Sequence, residues 1–500
     1  NPKPQTPNPK PHINKMSENY SSGFNYAIKA KNSEFLKEAR QEALQLKLNN
    51  HRQTDNSEKF RNFSEFCISH LSTYTSETLK NSILEWINMP VELNFFHHFI
   101  HAINAEDIGQ NHFGIIGMRK LLVQFQHTVL QSVIDSDCVS RIVEFVDKED
   151  YLHLAFEAGW CLANLTIGEK QQTEILISKN AIPALLKLAQ SHYSQIAEQA
   201  VWALGNISAE SLQMRERLLS EDAIPVLDRV YQCGNSIVCK HVTWIFSNFC
   251  IKRPQHEPLK RIFTPFSRMV DYVSNFHSSC WEELEDCILG IKSVVSESNF
   301  PMLEDWKFFS ILASYFFAFA GNPTENQTQL LSVIELFNEV SKQSKVWTEY
   351  IESAEISKGI EKIIASDCSS NLAREACTYL LLMCRASQTF TESLSKNMII
   401  VAKLSELAVQ RSFNGALVSI NVISELMRDP TPAFYTEIFK IHLMDLLLFY
   451  LCDEEAERNL LAFSLCRNLL EKAQVWGIQT KVVLELVKRK ISHNIELKQL

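Results

Sequence analysis

Three tryptophans set a period that most other readings of this chain must obey. EAGWCLANLT (Glu157 to Thr166), QAVWALGNIS (Gln199 to Ser208) and HVTWIFSNFC (His241 to Cys250) place Trp160, Trp202 and Trp244 at steps of 42 residues. A second marker keeps the same step, Ala181-Ile182-Pro183 and Ala223-Ile224-Pro225. A constant period of this length belongs to stacked two- or three-helix units, each burying its apolar face only against its neighbours. The prolines are predicted to sit in the first turn of a helix, where a missing N–H costs nothing. With 13 Gly and 15 Pro in 500 residues there are few turn-formers for an all-β fold or a Gly-rich phosphate loop.

Composition narrows the function classes. The chain is 46% hydrophobic and 21% charged, too apolar to be disordered in bulk, and its longest apolar stretches, Phe308 to Gly321 and Leu446 to Cys452, fall short of the roughly 18 residues of a membrane helix. The N-terminus shows no basic start leading into an apolar run, so no secretory signal is expected, and 13 Cys without a CxxC pair argue for reduced thiols in the cytoplasm and nucleus. The net charge of −9 disfavours nucleic acid as a partner, because a phosphate backbone has to meet a basic surface. No membrane partner and no cofactor are expected. Runs of the GxxxxGK[ST], GxSxG or DFG type are missing from the sequence, so it is read as a non-enzyme. His97, His98 and His101 in FFHHFIHA lack the further ligands of a zinc site.

Trp-x-x-x-Asn puts both side chains on one helical face, one turn apart. An Asn inside a core needs partners for its amide, at a penalty of about 1–3 kcal/mol when they are unmet. Three such Asn in phase therefore predict an exposed ladder, with amides able to hold an extended peptide backbone and indole faces able to stack aliphatic stems and Lys or Arg heads. The ligand expected for an acidic body with this groove is a short basic peptide.

These motifs resemble the importin-α family, the armadillo adaptors that carry proteins bearing basic nuclear localisation signals. FEAGWCLANLTIGEKQQT is similar to that family's second repeat, EQAVWALGNISAE to its third and HVTWIFSNFC to its fourth; period and apolar pattern extend the likeness from Ser64 to about Ile491. The resemblance implies an all-α, right-handed superhelical armadillo-repeat solenoid of roughly ten repeats of about 42 residues, covering 56–495. Its major signal-binding site falls on Trp160, Asn164, Gly168, Thr173, Gln199, Trp202, Asn206, Trp244 and Asn248, with Glu210 in place of the family's Asp and His241 in place of an Asn. Ile167 and Ile251 replace a Ser and an Arg of the family. In the seventh and eighth repeats Thr378, Leu382, Val418 and Val422 stand where the second site needs Trp and Asn, and in the fifth Ile288 and Lys292 stand for Trp and Tyr. A single-site receptor for monopartite signals is the expectation, since a linked-site gain requires two sites.

The first 23 residues, with five Pro in NPKPQTPNPKPHINK, are expected to be a disordered tail; the first methionine is Met16, which leaves open whether the mature start lies there or upstream. Residues 24–55 are expected to carry a basic helix, FLKEARQEALQLKLNNHR, in the place of the family's importin-β-binding segment, with Lys37, Arg40, Lys47 and Arg52 as its basic residues. The family's KRR-type cluster is reduced to Asn49-Asn50-His51-Arg52, which implies weakened importin-β binding and weak autoinhibition. The competing reading is an armadillo scaffold that holds one fixed partner and has no transport cycle.

Overall fold

The computed structural model describes residues 74–434 apart from 149, 234–235, 252–261, 276–280, 296–305, 344–355, 411–413 and 432, together with Leu71 and a few positions between 464 and 472. The tail and basic helix expected over 1–55, with Lys37, Arg40, Lys47 and Arg52, lie outside the described residues.

All regular elements among the described residues are helices: α1 Glu77–Asn88, α2 Phe96–Ile103, α3 Ile108–Ile134, α4 Cys138–Phe145, α5 Leu152–Leu165, α6 Lys170–Ser178, α7 Ala181–Leu188, α8 Ser194–Glu210, α9 Leu212–Ser220, α10 Ala223–Cys233, α11 Ser236–Cys250, α12 Phe263–Asn275, α13 Trp281–Val295, α14 Trp306–Phe319, α15 Gln327–Gln343, α16 Ile356–Ala365, α17 Ser370–Ala386, α18 Gln388–Ser395, α19 Met398–Val409 and α20 Ala416–Leu426. The 42-residue step recurs in their starts. Leu152, Ser194 and Ser236 open α5, α8 and α11; Lys170 and Leu212 open α6 and α9; Ala181 and Ala223 open α7 and α10.

Local chemistry explains the boundaries. Asp107 Oδ1 accepts from the Gln110 N–H (2.8 Å) to start α3, and Ser211 Oγ accepts from Met214 (3.3 Å) to start α9. The turns into α7 and α10 each pass through a left-handed residue, Asn180 (φ 62°) and Asp222 (φ 54°), the two side-chain types that tolerate this region best after glycine. Pro183 and Pro225 are the third residues of α7 and α10, inside the first turn as predicted. In α3 the ladder breaks at Phe125 (φ −129°, ψ 30°), so the 27-residue span is two helices joined at a kink.

One line of helices carries the core: α3, α5, α8, α11, α13, α15, α17 and α20 pack in that order, each against the next. Their shared faces bury Leu162, Leu165, Leu204, Ile207, Ile245, Phe249, Ile288, Ile334, Leu380 and Ile420. Each such side chain gains about 1.5–3 kcal/mol on burial, with cover from helices of its own repeat and from the neighbouring repeats. Lys120 ties the first of these helices to α1, donating through Nζ to the Trp86 carbonyl (2.8 Å) and the Met89 carbonyl (2.5 Å) at that helix's C-terminal end. Burial, with Arg119 next to it, pulls its pKa down to about 8. Among the described residues no helix is long and apolar enough to cross a membrane.

Candidate functional site

The residues expected to bind peptide lie on three successive core helices and on the turn and short helix that follow the first: Trp160 and Asn164 on α5, Gly168 after it, Thr173 on α6, Gln199, Trp202, Asn206 and Glu210 on α8, and His241, Trp244 and Asn248 on α11. The periodicity that places them in phase survives in three dimensions. Their exposure does not. Trp160, Trp202 and Trp244 are 0, 1 and 5% accessible, and Asn164, Asn206 and Asn248 are 2, 0 and 1%. The ladder expected to be open is buried.

The physical reason is a set of acceptors that the preceding repeat supplies. Asn206 Nδ2 donates to the Ala163 carbonyl (3.1 Å) and to Thr166 Oγ1 (3.2 Å), and Asn248 Nδ2 donates to Ser208 Oγ (2.9 Å). Thr166 and Ser208 pass the bond on, donating to the Ala163 (2.8 Å) and Gly205 (2.7 Å) carbonyls of their own helices. Asn164 Nδ2 donates to the Trp160 carbonyl (2.9 Å) one turn back. In the first two repeats the motif therefore runs Trp-x-x-x-Asn-x-Thr/Ser, each hydroxyl receiving the amide of the following repeat, while Cys250 holds that place in the third.

The residue before each Asn is small: Ala163, Gly205 and Ser247. At Gly205 the reason is visible, because a Cβ there would come within 2.2 Å of Cζ3 of Trp244, whose ring occupies the space a side chain would need. Ser247 Oγ in turn donates to the Asp286 carbonyl of α13 (2.6 Å).

Not every polar atom is satisfied. Thr173 Oγ1, Gln199 Oε1 and Asn206 Oδ1 are buried and accept no hydrogen bond. Gln199 and Asn206 lie seven residues apart on one face of α8, with Trp202 between them. Glu210, half-buried, is the last residue of α8, where a carboxylate meets the negative end of the helix dipole at a cost of about 0.3–1 kcal/mol. His241 and Gly168 are half-buried, and a Cβ on Gly168 would meet Gln172 Oε1 at 2.4 Å, the oxygen that accepts the Glu169 N–H (2.8 Å) to start α6.

A second polar cluster, unseen in the sequence, lies beneath the first indole. Arg119 of α3 and Glu157 of α5, both fully buried, form a two-pronged ion pair with Nε to Oε2 at 2.8 Å and Nη2 to Oε1 at 3.2 Å. The Arg119 guanidinium sits over the Trp160 ring, 4.8 Å from its centroid. His153 lies 3.7 Å from Glu157 and stacks on His112 (5.8 Å, 12°), which meets the Tyr74 hydroxyl (3.1 Å) and the Ile108 carbonyl (2.8 Å). Burial holds both imidazoles neutral. It lowers His112 to about 4 and, with the Arg119 charge beside it, His153 to about 3.

Farther along, Ile288 is buried and Lys292 pairs with Glu335 of the next core helix. Thr378 Oγ1 donates to its own helix at the Arg374 carbonyl (2.9 Å), Leu382 and Val418 are half-buried, and Val422 is buried. Asn338 of α15 had escaped the constant step, lying 90 residues beyond Asn248 where two periods are 84. Its Nδ2 donates to the carbonyl and the carboxylate of Glu375 (both 3.0 Å), while its Oδ1 is buried without a partner.

The armadillo/β-catenin-like repeat family matches residues 169–209, the span from the turn before α6 to the end of α8. The fold is an armadillo solenoid. Importin subunit alpha-2 of Arabidopsis thaliana is 40% identical over 73 residues, and importin subunit alpha-1b of Oryza sativa subsp. japonica is 30% identical over 92. These stretches cover 15% and 18% of this chain and 14% and 17% of those relatives' own length. The crystal structure of an engineered protein from the Northeast Structural Genomics Consortium aligns with 83% of this chain and 99% of its own at a TM-score of 0.61 and 14% identity, a likeness of fold.

Proposed function

We propose that this armadillo scaffold binds an extended basic peptide along α5, α8 and α11 and serves as an import adaptor for monopartite nuclear localisation signals. The observation that carries this reading is the trio of buried acceptors, Thr173 Oγ1, Gln199 Oε1 and Asn206 Oδ1, which have no donor within the fold. Buried acceptors left unmet cost about 1–3 kcal/mol each, and the amide N–H groups of a peptide are the donors that would relieve them. Trp160, Trp202 and Trp244 then offer stacking surfaces for Lys and Arg stems, Asn164 and Asn248 extend the amide row, His241 takes the place of Gln199 one step on, and Glu210 attracts a cation that also offsets the helix-end penalty. The partial similarity to importin-α of two plants supports the choice of ligand. The basic residues Lys37, Arg40, Lys47 and Arg52 would contact importin-β, and the protein would divide between cytoplasm and nucleus.

Because the indoles are buried, binding requires the ladder to open, and the apparent affinity falls by the fraction of molecules that are open. The same burial favours a second reading, a scaffold committed to one partner. Fluorescence anisotropy of a labelled monopartite lysine-rich peptide against the full chain decides between them. Micromolar binding, about 8 kcal/mol, that is lost in Asn164→Ala/Asn206→Ala supports the adaptor. Absence of binding by the folded wild type transfers the groove to the scaffold reading.

A further inference from the structure

The pair beneath the first indole has the parts of a ligand site whose ligand is already present. A planar carboxylate takes two parallel N–H bonds from a guanidinium, an indole covers the guanidinium face, and the whole is closed to water. These are the features by which proteins recognise an arginine side chain from outside. Here the arginine comes from α3, the neighbour on the N-terminal side of α5, so it fills the slot that would otherwise continue the row of indole slots past Trp160. We propose that Arg119 is the internal occupant of a guanidinium-recognition site made by Glu157 and Trp160, and that it closes the N-terminal end of the peptide groove. The second half of this statement rests on the peptide-binding reading; the first half does not. A basic peptide therefore finds stacking slots only between Trp160 and Trp202 and between Trp202 and Trp244, and further cations beyond Trp160 add nothing.

Arg119→Ala empties the site and leaves the Glu157 carboxylate in place. The full-length wild type and variant are melted by circular dichroism in about 20 mM guanidinium chloride and in sodium chloride of equal concentration. The expected result is a higher Tm for Arg119→Ala in guanidinium than in sodium, with no such difference for the wild type. Equal melting of the variant in both salts overturns the site. If the variant does not fold unaided, refolding by dialysis gives the same answer: helix regained in guanidinium alone supports the site, and helix in neither salt overturns it. For the groove's end, an arginine is appended to either terminus of a lysine-rich peptide. One of the two extended peptides should bind Arg119→Ala about tenfold tighter than the parent peptide, and neither should bind the wild type more tightly. An equal gain in both proteins overturns the closure. Guanidinium rescue in a protein whose wild type binds no basic peptide would sink the peptide reading and leave the guanidinium site standing.

Discussion

The helices α5, α8 and α11 and the helices α13, α15, α17 and α20 continue one stack, yet they are bridged by different chemistry. In the first group neutral amides cross from repeat to repeat into hydroxyls and carbonyls, and one fully buried ion pair anchors the row. In the second group the bridges among the described residues include Lys292 to Glu335 and Arg385 to Glu425, partly exposed, Ser332 to Glu285, the buried pair Ser419 to Cys377, and the buried amide of Asn338 to Glu375. The fold tolerates either kind of staple, because the apolar faces supply most of the cohesion and the polar bridges need only match each other. What differs is the consequence of breaking them. A buried bridge strands a polar group in a dry core; an exposed one is replaced by water.

That contrast can be broken in order of effect. Glu157→Ala should cost about 3–5 kcal/mol in urea unfolding, since it removes the carboxylate that pairs with the fully buried Arg119. Gly205→Ala should cost about 1–3 kcal/mol, because the added methyl meets the Trp244 ring, and the displaced indole should report itself in near-ultraviolet circular dichroism; an unchanged spectrum would deny Gly205 its positioning role. Acidification tests the cluster around His112 and His153. Their folded pKa values lie below the unfolded value near 6.5, so the unfolded chain binds more protons as pH falls from 6.5 toward 4 and 3, and stability is lost through that window by up to about 1.4 kcal/mol per pH unit for each histidine. His112→Asn should flatten the slope, and an unchanged slope would place the acid sensitivity elsewhere. Trp202→Ala should weaken peptide binding by about 1 kcal/mol while Val418→Ala leaves it alone, and equal losses would remove the difference between the two groups of helices. Arg385→Ala, which removes a pair with a half-exposed arginine, should cost about 0.5 kcal/mol or less; a loss as large as that of Glu157→Ala would end the comparison.

How far the sequence could be read follows from the same division. The period, the helical class and the first-turn prolines were legible because a 42-residue step is written directly in Trp160, Trp202 and Trp244 and in the Ala-Ile-Pro pair. The burial of the ladder was not, because the partners of Asn206 and Asn248 lie 40 residues away on another helix, and a hydroxyl two positions past an Asn has no meaning until the helices are stacked. Arg119 and Glu157, 38 apart, share no step with the ladder, and Asn338 falls six residues off it, so each is visible only as a contact.

The bonds from Asn206 to Thr166 and from Asn248 to Ser208 both span 40 residues. Each thereby acts as a gauge of chain length. One residue inserted inside α8 would rotate everything beyond it by about 100° and carry Asn206 away from Thr166. Insertions in this stretch are therefore confined to the turns between helices, where extra chain can bulge outward without changing the phase. A solenoid fastened in this way can lengthen by whole units or at its corners, and its helices cannot drift by single residues while the fastening holds.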